Sequence, residues 1–120
     1  MSSNPETIFD LSSLTKIQVE TLKIHRSVLK AEISMNVALT IRRNSRISRG
    51  THYRILAQAR KNIRKSLFTV ACAVQMGLLR PEDVQKLLAT ASMIPDDVDQ
   101  QKLRQLVALV KEVAERIVML

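Results

Sequence analysis

The basic residues of this sequence are concentrated in one stretch, where their chemistry suits the binding of phosphate groups. From Ile33 to Pro81 the chain has no Asp or Glu. Nine of the bases in that stretch fall between positions 42 and 65: Arg42, Arg43, Arg46, Arg49, Arg54, Arg60, Lys61, Arg64 and Lys65. Most of them are Arg, whose planar guanidinium donates paired hydrogen bonds that match phosphate oxygens. The pattern predicts that these nine residues form a site for a polyanion.

The composition around these bases favours double-stranded DNA as the polyanion. Proteins that read single strands stack bases on aromatic side chains, and Tyr53 is the only aromatic residue of this segment before Phe68. Membrane-surface helices also need bulky apolar residues beside the basic face. We therefore expect duplex DNA, contacted largely at its phosphates, and no membrane. RNA, an acidic protein partner and a simple solvated surface are the alternatives.

The chain has few other residues that could serve in catalysis. The chain has two histidines and one cysteine, and no known catalytic motif. His52 is expected to be solvated or to cap a helix, with a phosphate contact as the alternative. Cys72 lies between two alanines in an apolar segment and is expected to be a buried, inert thiol. The sequence thus predicts a protein that is not an enzyme, with no metal and no cofactor.

Two pairs of adjacent carboxylates could be mistaken for acid and base groups. Glu82 and Asp83 follow Pro81, and Asp96 and Asp97 follow Pro95. A proline at the first helical position, followed by acids, is typical of a helix start, where negative charge faces the positive end of the helix dipole. We interpret both pairs as helix-start residues.

The composition predicts a small all-α protein. The chain has 120 residues, a net charge of +8, 2 Gly, 3 Pro and 2% aromatic residues, whereas sheets need turn glycines and favour aromatic residues. We expect a flexible N-terminus over 1–11 and a single helical domain over 12–120 with its basic segment at 42–65. No apolar run is long enough to cross a membrane and no secretory signal is evident, so a cytoplasmic protein, associated with the nucleoid if it binds DNA, is expected.

The first helix is predicted to be long. Ser12 or Ser13 can cap a helix that begins at Leu14. Seven residues, apolar except for Thr21, then recur every three or four positions over almost the whole of a helix of about 30 residues and so lie on one stripe: Ile17, Thr21, Ile24, Val28, Ala31, Met35 and Ala38. Residues 33–41 also alternate apolar and polar, so a strand there is the alternative. We prefer the helix because no partner strand of similar quality is present.

A second helix is predicted from His52 to Met76, with Thr51 as its cap and Gly77 as its end. Its first half has an apolar stripe and, opposite to it, Arg54, Gln58, Lys61 and Lys65. Its second half is apolar nearly all round, so we expect it to be buried among other helices.

Two further helices complete a predicted bundle of about four. The third runs from Pro81 to Ser92, and the last begins at Pro95. The last helix has apolar residues in heptad spacing, typical of a coiled-coil or bundle seam: Leu103, Leu106, Val110, Val113, Ile117 and Leu120. This seam is a candidate homodimer or partner interface, and packing against the first helix is the alternative.

Two functions follow as hypotheses. The first is non-enzymatic binding of double-stranded DNA in chromatin, transcription or replication. The second is an accessory or scaffolding subunit that docks by its apolar helices on a larger complex, such as a DNA polymerase or another nucleic-acid machine.

Overall fold

The computed structural model describes residues 7–41, 46–94 and 99–118, and these contain six α-helices and no strand. The all-α prediction is confirmed, but the bundle of about four helices is not. The helices are α1 (Ile8–Leu11), α2 (Lys16–Leu29), α3 (Met35–Ala38), α4 (Arg49–Gln75), α5 (Pro81–Ser92) and α6 (Gln100–Val118). In the described residues no helix combines the length and the apolar character needed to cross a membrane.

The internal contacts of the chain divide it into two compact units. The basic unit is Ser13–Lys65, and the acidic unit is Met1–Ser12 together with Ser66–Leu120. Thirteen Lys and Arg and only two acids lie in the basic unit, giving it a net charge of +11, whereas the acidic unit has six bases and nine acids, a net −3. The charge asymmetry of the sequence therefore follows the division of the fold.

The predicted 30-residue first helix is wrong, because α2 ends at Leu29. The Ala31 N–H donates to the Val28 carbonyl and the Glu32 N–H to the Ser27 carbonyl, the hydrogen bonds of a Schellman helix end. Such an end requires a left-handed residue, and Ala31 takes that role with a φ of 59°. The start also differs from the prediction, since α2 is capped by Thr15 in a capping box with Gln18.

Because an L-residue is strained in the left-handed region, Ala31→Gly should stabilise the basic unit. The left-handed conformation costs a non-glycine residue about 1–2 kcal/mol, and the greater freedom of Gly in the unfolded chain cancels only part of this gain. We expect the free energy of unfolding to rise by about 1 kcal/mol in urea titrations. Ala57→Gly, at an exposed position inside α4, is the control and should lower it by about 1 kcal/mol. A loss of stability in both variants would contradict the proposed strain.

Residues 33–41 form neither the strand nor the continuation of a long helix. Ser34 caps the single-turn helix α3, its hydroxyl accepting the Val37 N–H at 3.2 Å. Ala38 and Leu39 are buried, at 0% and 6% exposure. The alternation of apolar residues therefore reflects burial at a short helical turn, without a neighbouring strand to complete a sheet.

Helix α4 begins earlier than predicted and ends where predicted. Ser48, not Thr51, precedes its first residue and accepts the Thr51 N–H at 3.1 Å. At the other end Gly77 is left-handed, with a φ of 76°, and the Leu78 N–H donates to the Ala73 carbonyl. Gly77 thus terminates the helix, as the sequence predicted.

The predicted burial of the second half of α4 is wrong. Leu67 and Phe68 are 66% and 67% exposed, and Cys72 is exposed as well. An apolar segment is buried only if other parts of the chain cover it. Here α6 packs against α5 and α1 in the acidic unit, and these large side chains of α4 remain open to solvent.

In the acidic unit the predicted helix-start acids have structural partners. Pro81 is the first residue of α5, and Asp83 accepts a hydrogen bond of 2.7 Å from Arg116 of α6. This hydrogen bond raises the pKa of the Arg116 guanidinium above its ordinary value. Glu82 pairs with Arg80 at 3.3 Å.

The acidic unit also contains the first and the last helix of the chain. Residues 8–11 form α1, which is capped by Thr7 in a capping box with Asp10. Helix α6 begins at Gln100, and the Asp99 side chain accepts the Lys102 N–H. The predicted start at Pro95–Asp97 lies outside the described residues.

Candidate nucleic-acid interface

The structure places the described members of the predicted basic site on one element of the basic unit. Arg42 and Arg43 lie outside the described residues. Arg46 precedes α4, and the other six lie within α4, all seven being exposed: Arg46, Arg49, Arg54, Arg60, Lys61, Arg64 and Lys65. We call the six residues of α4 the basic face.

The basic face covers almost half the circumference of the helix. At about 100° per residue, its six positions spread over roughly 160°. The remaining circumference includes His52, Leu56 and Ala59, which are the buried residues of α4. From Arg49 to Lys65 the face is about 24 Å long at about 1.5 Å per residue. Core contacts on one side therefore hold an extended cationic surface toward solvent on the other.

Six of these seven bases form no ion pair with a carboxylate of the described residues. In the described parts of the chain, no carboxylate pairs with Arg46, with Arg49, or with the four central bases of the face, which are Arg54, Arg60, Lys61 and Arg64. The unit has only two acids, Glu20 and Glu32. Ordinary surfaces intersperse both signs of charge, so the field here is unusually one-sided.

Asn62 ties this part of α4 to the start of α2. Its amide nitrogen donates to the Ser13 carbonyl at 2.7 Å and to the Gln18 side-chain oxygen at 3.1 Å. Its amide oxygen accepts the Ser13 hydroxyl at 2.7 Å. These bonds fix the rotation of α4 at the level of Arg60, Lys61 and Arg64, because Asn62 lies between them in sequence.

A histidine pair forms the second connection between the same helices, and it was missed by the sequence analysis. His52, expected to be solvated or capping, is fully buried, and its Nε2 lies 3.3 Å from Nδ1 of His25 in α2. The Tyr53 ring meets both imidazoles edge-on. The spacing of His52, Leu56 and Ala59 by four and three residues was the signal that places His52 on the buried stripe.

The predicted interface of α6 is used in part within the acidic unit. Leu106 and Val113 are buried, at 8% and 3% exposure, where α6 packs against α5 and α1. Leu103 is half-buried, Val110 and Ile117 are each 37% exposed, and Leu120 lies outside the described residues. The seam therefore retains only a small free surface.

The described residues contain no cluster of three or more His, Cys, Asp or Glu that could hold a metal ion. No protein-family model, curated protein or solved structure matches this chain. A function has to be inferred from the charge and geometry of the chain itself.

Proposed function

We propose that this protein binds double-stranded DNA without catalysis, mainly through the phosphates, and that the basic face of α4 is the binding surface. The observation that carries the proposal is an exposed row of bases in a unit of net charge +11, four of which have no carboxylate partner in the described residues, namely Arg54, Arg60, Lys61 and Arg64. Binding releases counterions that are condensed on DNA, so the affinity of such a surface rises with the number of phosphates that it neutralises. Such a protein belongs where the DNA is, in the cytoplasm and associated with the nucleoid.

The shape of the surface favours a duplex over a single strand. A rigid helix face about 24 Å long can follow the phosphates of about seven base pairs, at about 3.4 Å per pair. Single-strand binders instead present several stacking aromatics. Tyr53, 47% exposed, is the only exposed aromatic residue of the described basic unit, and its ring also contacts the two histidines. Specific base contacts are not required for this mode of binding.

The direct test is a salt titration of the full chain with duplex DNA, single-stranded DNA and RNA. If about six bases neutralise phosphates, log affinity should fall against log salt with a slope of about −5 for the duplex. We expect weaker binding and a shallower slope for single strands. Equal or tighter binding of RNA would change the assigned polyanion. The absence of binding to every nucleic acid at low salt would refute the proposal.

The second candidate function is the accessory subunit. It is favoured by a specific observation, the exposed apolar residues in the second half of α4. In that function a larger nucleic-acid complex covers this surface and the basic face only assists. A chain that binds no nucleic acid alone, but does so within such a complex, would favour this candidate.

A further inference from the structure

The second half of α4 exposes a continuous apolar surface. Residues 66–79 contain no charged side chain. Leu67, Phe68 and Met76 are each about two-thirds exposed, at 66%, 67% and 64%. Together with the exposed Ala71 and Cys72 they form a series linked by steps of three or four positions along α4, with Met76 directly after its last residue, so neighbouring members adjoin. We call these five residues the apolar strip.

The strip has the area that a stable dimer needs. At roughly 100–150 Å² for each of its three large side chains, and less for Ala71 and Cys72, it offers about 400–500 Å² of apolar surface. A standard interface buries about 800 Å² on each partner, of which somewhat more than half is apolar, or about 450 Å². Each copy would therefore contribute the required apolar area from this one helix half.

The charges around the strip favour a second copy over other partners. An isologous contact places the same surface on both sides, and an uncharged strip brings no like charges together. The acidic unit to which the strip belongs has a net charge of −3, which disfavours an anionic membrane. The nearest bases, Arg64 and Lys65, lie one helical turn before Leu67 and Phe68, and an antiparallel pairing of two strips places them at opposite ends of the interface.

We propose that the chain forms a homodimer in which the apolar strips of two α4 helices pack against each other. This interface differs from the α6 seam, whose Leu106 and Val113 are already buried within one chain. The pairing does not depend on DNA binding. Dimerisation should nevertheless strengthen DNA binding. A dimer presents two basic faces, and once the first has bound a duplex, the second binds the same duplex as an intramolecular contact.

Analytical ultracentrifugation of the full chain tests the dimer. We expect association at tens of micromolar that is no weaker at 0.5 M than at 0.15 M salt, because the strip has no charges to screen. The variant Leu67→Glu with Phe68→Glu buries four unpaired carboxylates in a symmetric interface, so its dimer dissociation constant should rise about a hundredfold or more. Both positions are exposed and Glu is a good helix former, so the fold should be unchanged by circular dichroism.

A matched control adds the same charge elsewhere. Ile17 and Leu29 of α2 are 58% and 74% exposed, and Ile17→Glu with Leu29→Glu should leave the dimer intact. Cys72 gives a second readout, because it is the only cysteine and belongs to the strip. A thiol reagent should label it rapidly in the strip variant and slowly in the wild type at dimer-forming concentrations.

Three outcomes would overturn the proposal. The first is a wild type that stays monomeric at about 200 µM, because this concentration is well above the dissociation constant of a stable dimer. The strip would then bind a different partner. Equal dimerisation of the strip variant and the control would move the interface to another surface, such as the α6 seam. Binding of a monomeric wild type to neutral phosphatidylcholine vesicles would assign the strip to a membrane surface.

Discussion

Removing the four central bases of the basic face should weaken the binding of duplex DNA by about a hundredfold or more at 0.1 M salt. The variant combines four substitutions to Ala at positions that are exposed and have no carboxylate partner: Arg54, Arg60, Lys61 and Arg64. If three of the four neutralise a phosphate, the salt slope becomes shallower by about 3, from about 0.9 for each contact. Ala has the highest helix propensity, so α4 should remain folded.

The control for this variant must lose the same charge from a different place. The acidic unit offers four exposed bases on α5 and α6: Lys86, Lys102, Arg104 and Lys111. Replacing all four by Ala also lowers the net charge from +8 to +4. Fluorescence anisotropy with one labelled duplex, over a range of salt concentrations, compares the two. If the binding surface is localised on α4, the large loss of affinity should occur only in the α4 variant. Equal losses of affinity in both variants would show that only the net charge matters.

The α4 variant and the strip variant together separate the DNA-binding proposal from the dimer proposal. If the dimer forms through the apolar strip, the α4 variant should remain dimeric, because its substitutions end before Leu67. The strip variant should bind each duplex more weakly, by the loss of a second basic face and by the new carboxylates one helical turn from Arg64 and Lys65. A strip variant that binds DNA as tightly as the wild type would show that one basic face is sufficient.

Local signals in the sequence predicted the features that depend only on neighbouring residues. Pro81 with its following acids begins α5, and Gly77 ends α4, because each acts through its own backbone geometry. The concentration of positive charge was also readable, since a charge count needs no knowledge of the fold. Seven of the nine predicted bases are described, and all seven are exposed in the basic unit.

The break after α2 could not be read from the sequence because its left-handed residue is an alanine. Ala favours helices, and the three- and four-residue spacing of apolar residues continues past Ala31 to Met35 and Ala38. The periodic pattern therefore joined two helices that the structure separates. The hydrogen bonds of the helix end, together with the Ser34 cap of α3, outweigh the local preference of Ala31.

The errors about burial have a different cause. An apolar side chain is more stable when it is buried, but its presence in the sequence does not show whether the same chain packs against it. His52 is buried although it is polar, because His25 of α2 gives it a hydrogen-bond partner. Phe68 is exposed although it is aromatic. Both facts depend on which elements pack together, and no local pattern specifies that.

Replacing the buried histidine of α4 should destabilise the basic unit. His52 is fully buried, and its Nε2 lies 3.3 Å from Nδ1 of His25. In this hydrogen bond one nitrogen donates and the other accepts. His52→Ala removes the buried ring and takes this partner away from His25, so the free energy of unfolding should fall by about 2–4 kcal/mol.

A second variant separates the hydrogen bond from the packing of the ring. In His52→Gln the amide can donate or accept a hydrogen bond at the His25 nitrogen, but it does not reproduce the shape of the imidazole ring. We therefore expect a smaller loss than for His52→Ala, of about 1–2 kcal/mol in the free energy of unfolding.

Tyr53 allows the unfolding of this unit to be followed without a label. It is the only tyrosine of the chain, there is no tryptophan, and its ring lies against both histidines. Urea titrations followed by tyrosine fluorescence, at one pH for all three proteins, should rank the stabilities as wild type, His52→Gln and then His52→Ala. A change below about 0.5 kcal/mol in His52→Ala, as at an ordinary surface position, would show that the histidine contact does not hold the unit together.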